Sequence, residues 1–559
     1  MRSITLFPLL LALLILFPSC QLFESEFDVL IVNGRIVDGT GNSWYKADVG
    51  IKGDRIVAIG KLADRSAGEV IDASGKVVSP GFIDMLGWSG MGIMVDGRAM
   101  SKISQGITTE VIGEGTSPAP VVGFAVEGRQ AWHKRNGVED TWTDLDGYFR
   151  TLEKRGSAIN IASFVGATQV RIAVLGYEDE EPTPEELDRM KALVRESMEQ
   201  GALGVGTSLI YAPAAYASTQ ELTELTKVAA EYGGMYISHI RDEGDENRQV
   251  AALYEAADIA KIAGCPVEVW HLKVAGKNNW GRMVDIVSLI DQFREEGLDM
   301  TADVYPYIAS SNALHASLPT WAQDGGRDSL LARLENPELV ARMETELRAL
   351  YGGTGIPFDG VMIAEAGSDD LKQYEGRTLI QIAAEWKMEP YAAFFEFVRR
   401  DSARTGRVTF SMSEPDLRMA MGQPWTSFCT DASLKALDGP FSDGKPHPRA
   451  YGGMARVLGK YVREDRILSL EDAVRKMSSQ PAQRVGLRDR GLLKPGFFAD
   501  VVVFDPETVT DKATFVDPHQ YSEGMEHVLV NGKAVWTKGE FGGNYPGRGL
   551  RGPGWKGAK

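Results

Sequence analysis

The chain has 559 residues, 43% of them hydrophobic, and a formal net charge of −17 at pH 7. That length supports a large core, as several modules or one barrel with additions. The acidity speaks against nucleic acid, since a polyanion is bound through a basic face that displaces counterions, and three cysteines are too few for a disulfide framework.

Residues 1–20 read as a secretory signal: Arg2, an apolar run from Ile4 to Phe17, then Pro18-Ser19-Cys20. A small residue directly before a cysteine resembles a bacterial lipoprotein signal. It makes Cys20 the lipidated first residue of a periplasmic or outer-membrane lipoprotein, whose only membrane contact is that anchor. Phe17 and Pro18 depart from that pattern, and plain secretion is the alternative. Cys265 and Cys429 each stand alone on or beside a predicted strand and read as buried thiols.

Segments 27–79 and 491–540 look alike. Val29 to Val37 and Val528 to Trp536 each place Asn-Gly between β-branched runs, a hairpin signal. With the strand-like Val49 to Ile59 and Ala499 to Phe504, they predict one small β domain built from both chain ends.

Between them, over 80–490, short apolar runs alternate with helical patterns, which implies parallel strands joined by crossover helices. Eight strands are predicted: Phe82 to Met85, Thr108 to Gly113, Ile159 to Val165, Leu203 to Ser208, Met235 to His239, Val267 to His271, Met300 to Tyr305 and Thr426 to Asp431. Eight is the number for a closed α/β barrel of the (β/α)8 type, whose chemistry gathers at the C-terminal strand ends. After the seventh strand, 309–423 is too long for a loop and carries helical patterns, so it reads as a helical insertion over the barrel mouth. Residues 541–559 read as a tail.

His239, His271 and Asp431 fall at such strand ends. Two imidazoles on neighbouring strands can converge on one zinc ion without a local motif. Asp431 can take a proton from water and return it to a leaving amine, or instead cap the next segment. For a third ligand, strand alternation puts Glu110, Ile112 and Glu114 on one face with Glu114 nearest the rim; a loop-orienting hydrogen bond is its other reading. The loop Pro446-His447-Pro448-Arg449 follows the last strand, and Arg449 can clamp a substrate carboxylate with its planar fork. Gly206-Thr207-Ser208 fails the Gly-x-Ser-x-Gly pattern of a serine nucleophile because Ile210 stands at its final position.

The order of several short motifs resembles the amidohydrolase superfamily, and within it the D-aminoacylase group, from about Phe27 to Trp536. These motifs are Pro80-Gly81-Phe82-Ile83-Asp84, Gln105-Gly106-Ile107-Thr108-Thr109, Ala202-Leu203-Gly204-Val205-Gly206-Thr207, His239-Ile240-Arg241-Asp242-Glu243, Trp270-His271-Leu272-Lys273, Ala302-Asp303-Val304-Tyr305-Pro306-Tyr307 and His447-Pro448-Arg449. The resemblance implies that His239 and His271 hold zinc, that Asp431 is the acid/base and that Arg449 binds the substrate α-carboxylate. It also implies that Lys273 and Tyr305 line the substrate pocket, with His447 in the substrate-binding loop. Two departures stand out. Leu86 and Trp88 occupy the His-x-His positions, and Gly115, with Glu114 beside it, stands near the position of the family's cysteine ligand.

The expectation is therefore a one-zinc enzyme acting on an N-acyl-D-amino acid or a related D-residue peptide. A cyclic amide hydrolase or dipeptidase on the same scaffold is the second reading, and a ligand-binding lipoprotein without turnover is the third.

Overall fold

The computed structural model describes residues 25–354 and 358–557; the expected signal and Cys20 lie outside the described residues. Its centre is a barrel of parallel strands at Phe82–Asp84, Ile107–Ile112, Asn160–Ser163 continued by Val165–Gly166, Gly204–Ser208, Met235–His239, Val267–Val269, Met300–Val304 and Thr426–Phe428. Neighbours pair in sequence order. The ring closes where Met85 N–H donates to Phe428 O (3.3 Å) and Asp431 N–H donates to Leu86 O (2.8 Å).

Alternation along each strand sorts side chains into two layers. Inside lie Met85, Val111, Phe164, Ile237, Trp270 and Cys429. Outside, the helices cover Val205, Tyr236, Val267, Val269 and Phe428. Trp270 spans the interior, its Nε1–H reaching Met85 O at 3.2 Å. The fourth strand accommodates it only because position 206 is glycine: a Cβ there would stand 2.8 Å from the Trp270 ring.

The outer helices form for local reasons as well. Pro184–Glu199 begins with a capping box in which Thr183 and Glu186 satisfy each other's backbone N–H groups, with proline in the first turn. Met190, Val194 and Met198 then recur on one face and pack on the barrel.

Strands from both chain ends form one nine-stranded sheet, in which Val501–Phe504 pairs antiparallel with Val77–Pro80. One of the two expected hairpins is present: Asn531-Gly532, both at positive φ, join Met525–Val530 to Lys533–Thr537. The other is corrected. Phe27–Ile36 is a single strand that runs straight through Asn33-Gly34. Asn33 (φ 65°) forms a bulge there, because Asp48 accepts its backbone N–H and Asp72 its side-chain amide, which anchors the extra residue without reversing the chain.

The insertion also differs from expectation. It is not helical throughout: Ser310–Ala313, Val361–Glu365 and Gly406–Thr409 form a three-stranded antiparallel sheet beside the helices, over a separate core that includes Leu314, Ile363, Phe394 and Phe397. Glu414–Gly422, expected within the insertion, lies on the barrel, burying Leu417, Ala420 and Met421 in the outer layer. The expected tail is structural too. Gly549–Leu550 pairs parallel with the third barrel strand, and Leu550 enters the barrel interior.

Candidate metal centre and active site

Three side chains converge at the C-terminal mouth. Glu114, His239 and His271 each offer a ligand atom, all within 4.8 Å of one another, and all three residues are buried. His239 gets there by alternation, two residues beyond Ile237 on the inward face of its strand. The other two do not. Glu110 faces outward, against Lys102 and Ser89, so alternation does not bring Glu114 to the mouth. Gly113, at φ 111°, turns the chain instead, and a Cβ there would meet Phe164 O at 2.6 Å. His271 lies on the outward parity of its strand and is turned inward by its own left-handed backbone (φ 38°), with its N–H donated to Asp303 Oδ1 at 2.8 Å. A left-handed histidine costs on the order of 1–3 kcal/mol, a strain typical of functional positions. Burial and the neighbouring Glu268 push the Asp303 carboxyl well above the usual carboxylate range.

Around the cluster, two carboxylates, Glu114 and Glu243, face one lysine, Lys273, and the two imidazoles. Glu114 Oε1 lies 2.7 Å from His239 Nδ1 and 3.3 Å from His271 Nε2. Glu243 stands 3.2 Å from His271 Nδ1, 3.6 Å from His239 Nε2 and 2.5 Å from Lys273 Nζ. Burial opposes ionisation of Glu114, yet hydrogen bonds from the two imidazoles hold its carboxyl at about 2. Burial likewise disfavours a charged His239, yet Glu243 and Glu114 raise it to about 9. Lys273 and the imidazoles outweigh burial at Glu243 and keep it ionised. Without a metal, a proton on His239 takes the place of a cation. Glu114 Oε2 and His239 Nε2 are buried with no hydrogen-bond partner. Two imidazoles, a carboxylate and two orphaned donor atoms fit a divalent ion of the zinc type.

The cluster lines a cavity of about 390 Å³ together with Asp431, Arg449, His447, Lys273, Tyr305 and Trp88. Every site residue expected from the sequence borders it, but not all are free for substrate. Asp431, itself left-handed (φ 47°), accepts from Trp88 Nε1 at 3.1 Å and lies 2.7 Å from Arg449 Nη1. That ion pair lacks hydrogen-bond alignment, and Arg449 Nε has no hydrogen-bond partner. The guanidinium is 4.5 Å from the Tyr305 ring centroid, its cationic face on the aromatic π system. His447 accepts the Arg449 N–H at Nδ1 (3.0 Å) and donates from Nε2 to Ala309 O (2.9 Å), so both ring nitrogens are used and it positions Arg449. Burial, with Arg449 and Arg456 nearby, holds its pKa well below the ordinary imidazole value. Lys273 is engaged by Glu243 and by His271 Nδ1 at 2.8 Å.

Two features went unread in the sequence. Glu243 sits inside the quoted His239–Glu243 motif, and its spacing four residues after His239 was the available signal. The other is a fully buried network under Asp431: Lys102 Nζ contacts Asp84 (3.0 Å), Glu110 (3.1 Å), Thr430 Oγ1 (2.8 Å) and Ala432 O (2.7 Å), while Asp84 also accepts the Thr430 N–H at 2.7 Å. It grips the residues on both sides of Asp431. At the two positions where the resemblance expects a His-x-His pair, Leu86 is packed in the barrel interior and Trp88 borders the cavity.

The amidohydrolase family model matches residues 69–325 and 436–536. The N-acyl-D-glutamate deacylase of Alcaligenes xylosoxydans xylosoxydans is 35% identical over 94% of this chain and 97% of its own. The N-acyl-D-glutamate deacylase of Bordetella bronchiseptica, solved with zinc and a phosphonate mimic of the tetrahedral intermediate, superposes with a TM-score of 0.76 at 34% identity, covering 94% of this chain and 99% of that one. A D-aminoacylase with a binuclear metal centre, described by one-metal activation and second-metal attenuation, gives 0.79 at 35% identity over 94% and 100%. With the barrel, the composite β domain and the Glu114–His239–His271 cluster in place, the chain belongs to the amidohydrolase family, in its D-aminoacylase group.

Proposed function

We propose that this chain hydrolyses the amide bond of N-acyl-D-amino acids with a single divalent ion held by His239, His271 and Glu114. The observation that carries the reading is one cavity that brings together that cluster, Asp431 and the buried Arg449. The D configuration and the acyl-amino-acid substrate class rest on the relatives. Leu86 and Trp88 support one ion, since neither side chain offers a lone pair suited to a second.

When bound, a divalent ion supplies Lewis acidity that polarises the amide carbonyl and makes water acidic enough to attack near neutral pH. Asp431 accepts the proton from the attacking water and passes it to the leaving amine nitrogen. Arg449 pairs with the substrate α-carboxylate, which competes with Asp431 for the guanidinium and leaves the aspartate free to take that proton. Trp88 Nε1 orients Asp431, His447 fixes the Arg449 backbone, and Lys273 orients His271.

Arg449→Ala weakens carboxylate-bearing substrates by on the order of 2–5 kcal/mol, the cost of losing one partner of a desolvated charge pair. Their amidated counterparts lose far less. Comparing kcat/KM for N-acetyl-D-amino acids and their amides checks this, and equal losses remove Arg449 from carboxylate binding.

The N-terminal signal supports an exported lipoprotein anchored through Cys20. Among the described residues no helix is long and apolar enough to cross a membrane. Cys20→Ser moves the protein from the membrane fraction to the soluble one; a wild type that is processed and already soluble contradicts the anchor.

A further inference from the structure

A second cavity, of about 330 Å³, shares Trp88 with the first, and its lining includes Gly113, next to the ligand Glu114. Its volume is that of a small-molecule site. Met91, Trp132, Ile172 and Tyr177 supply apolar and aromatic walls, and Arg129 supplies the charge. Arg129 is poorly matched. Among the described residues no carboxylate lies within 4.0 Å of it; its nearest acceptors are the Met91 thioether at 3.0 Å and Ser117 O at 3.5 Å, and its guanidinium carbon is 5.5 Å from the Trp142 ring centroid. A thioether is a weak acceptor, and a carbonyl at 3.5 Å leaves a fork of five donors largely unspent. Burial lowers the Arg129 pKa to about 10, so it stays charged near neutrality. A partly buried guanidinium without an anion, facing a cavity, is completed by an anionic ligand.

Substrate chemistry separates the two halves of the ligand. In a planar trans amide the acyl chain and the amino-acid α-carbon leave the C–N bond on opposite sides. The α-carbon carries both the carboxylate and the amino-acid side chain, and Arg449 keeps that half in the first cavity. The acyl chain therefore points away from Arg449, and the neighbouring space that borders the cluster through Trp88 and Gly113 is the second cavity.

We propose that the second cavity receives the acyl group, and that Arg129 selects acyl groups ending in a carboxylate, the half-amides of short dicarboxylic acids. The inference rests on the deacylase reading and narrows its substrate class.

The test compares N-acetyl, N-succinyl, N-glutaryl and N-adipoyl derivatives of one D-amino acid on zinc-loaded enzyme, in wild type, Arg129→Met and Arg129→Lys. The expected result is a wild-type kcat/KM at least tenfold higher for the best dicarboxylic acyl group than for acetyl, with the difference mainly in KM. Arg129→Met removes most of that ratio and Arg129→Lys keeps part of it. A wild-type ratio near one overturns the proposal, as does a ratio that survives Arg129→Met. Inactivity of the wild type on every substrate counts against the deacylase reading instead. Fluorescence of Trp88 and Trp132, followed during titration with glutarate alone, then decides for the cavity: quenching that is lost in Arg129→Met supports an anion site there, and equal or absent quenching in both proteins overturns it.

Discussion

Asp431→Asn lowers kcat by on the order of 10²–10⁴, the usual worth of a positioned acid/base, while the bound metal stays in place. The amide keeps the size of the carboxylate and can still accept from Trp88 Nε1, but it cannot take a proton from water at neutral pH. Asparagine tolerates the left-handed backbone at this position (φ 47°), so the fold survives the change. Asp431 lies outside the three-residue cluster, and metal content is therefore the internal control. Measured side by side, full metal with lost turnover is the expected pair of results. Residual activity within about tenfold of wild type would pass the proton-transfer role to another carboxylate, either Glu243 beside the cluster or Glu114 within it.

His239→Ala and His271→Ala each abolish tight metal binding and activity together, and Glu114→Gln weakens binding by more than the 10- to 100-fold that loss of an outer hydrogen-bonding partner costs. Among the described residues each imidazole is one of three clustered donors, and the glutamine replaces a carboxylate with a neutral amide. The apparent affinity also rises with pH. The carboxylates around His239 raise its pKa to about 9 without metal, so below that pH the ion must displace a proton from the imidazole, and binding releases protons. His447→Ala separates the roles: it keeps the metal and lowers turnover through Arg449, whose backbone His447 holds. Metal titration of the four variants at two pH values distinguishes ligands from supports.

The periodic parts of this fold could be read from the sequence because each apolar run obeys one simple rule. Strands such as Met235–His239 alternate, and helices such as Pro184–Glu199 carry their own capping box. Where a local signal competed with distant partners, it misled. Asn33-Gly34 resembles Asn531-Gly532 in sequence, but Asp48 and Asp72 hold the first pair inside a strand as a bulge. The insertion's strands Ser310–Ala313 and Gly406–Thr409 are four residues long and lack an apolar alternation, which left only its helices visible. At the site, the strand-end position of His239 was legible from alternation. The inward turns at Gly113 and His271 depend on backbone angles that alternation does not contain. Lys102 had no signal, because its partners Asp84, Glu110 and Thr430 come together only when the first, second and eighth strands close the barrel.

A single-ion centre, set against the binuclear centre named for a D-aminoacylase relative, is the central claim, and elemental analysis of purified protein after chelation and reloading with zinc addresses it directly. One zinc per chain is expected, lost in His271→Ala, with hydrolysis of N-acetyl-D-amino acids over their L counterparts restored on reloading. Two tightly held ions per chain would contradict the one-metal centre.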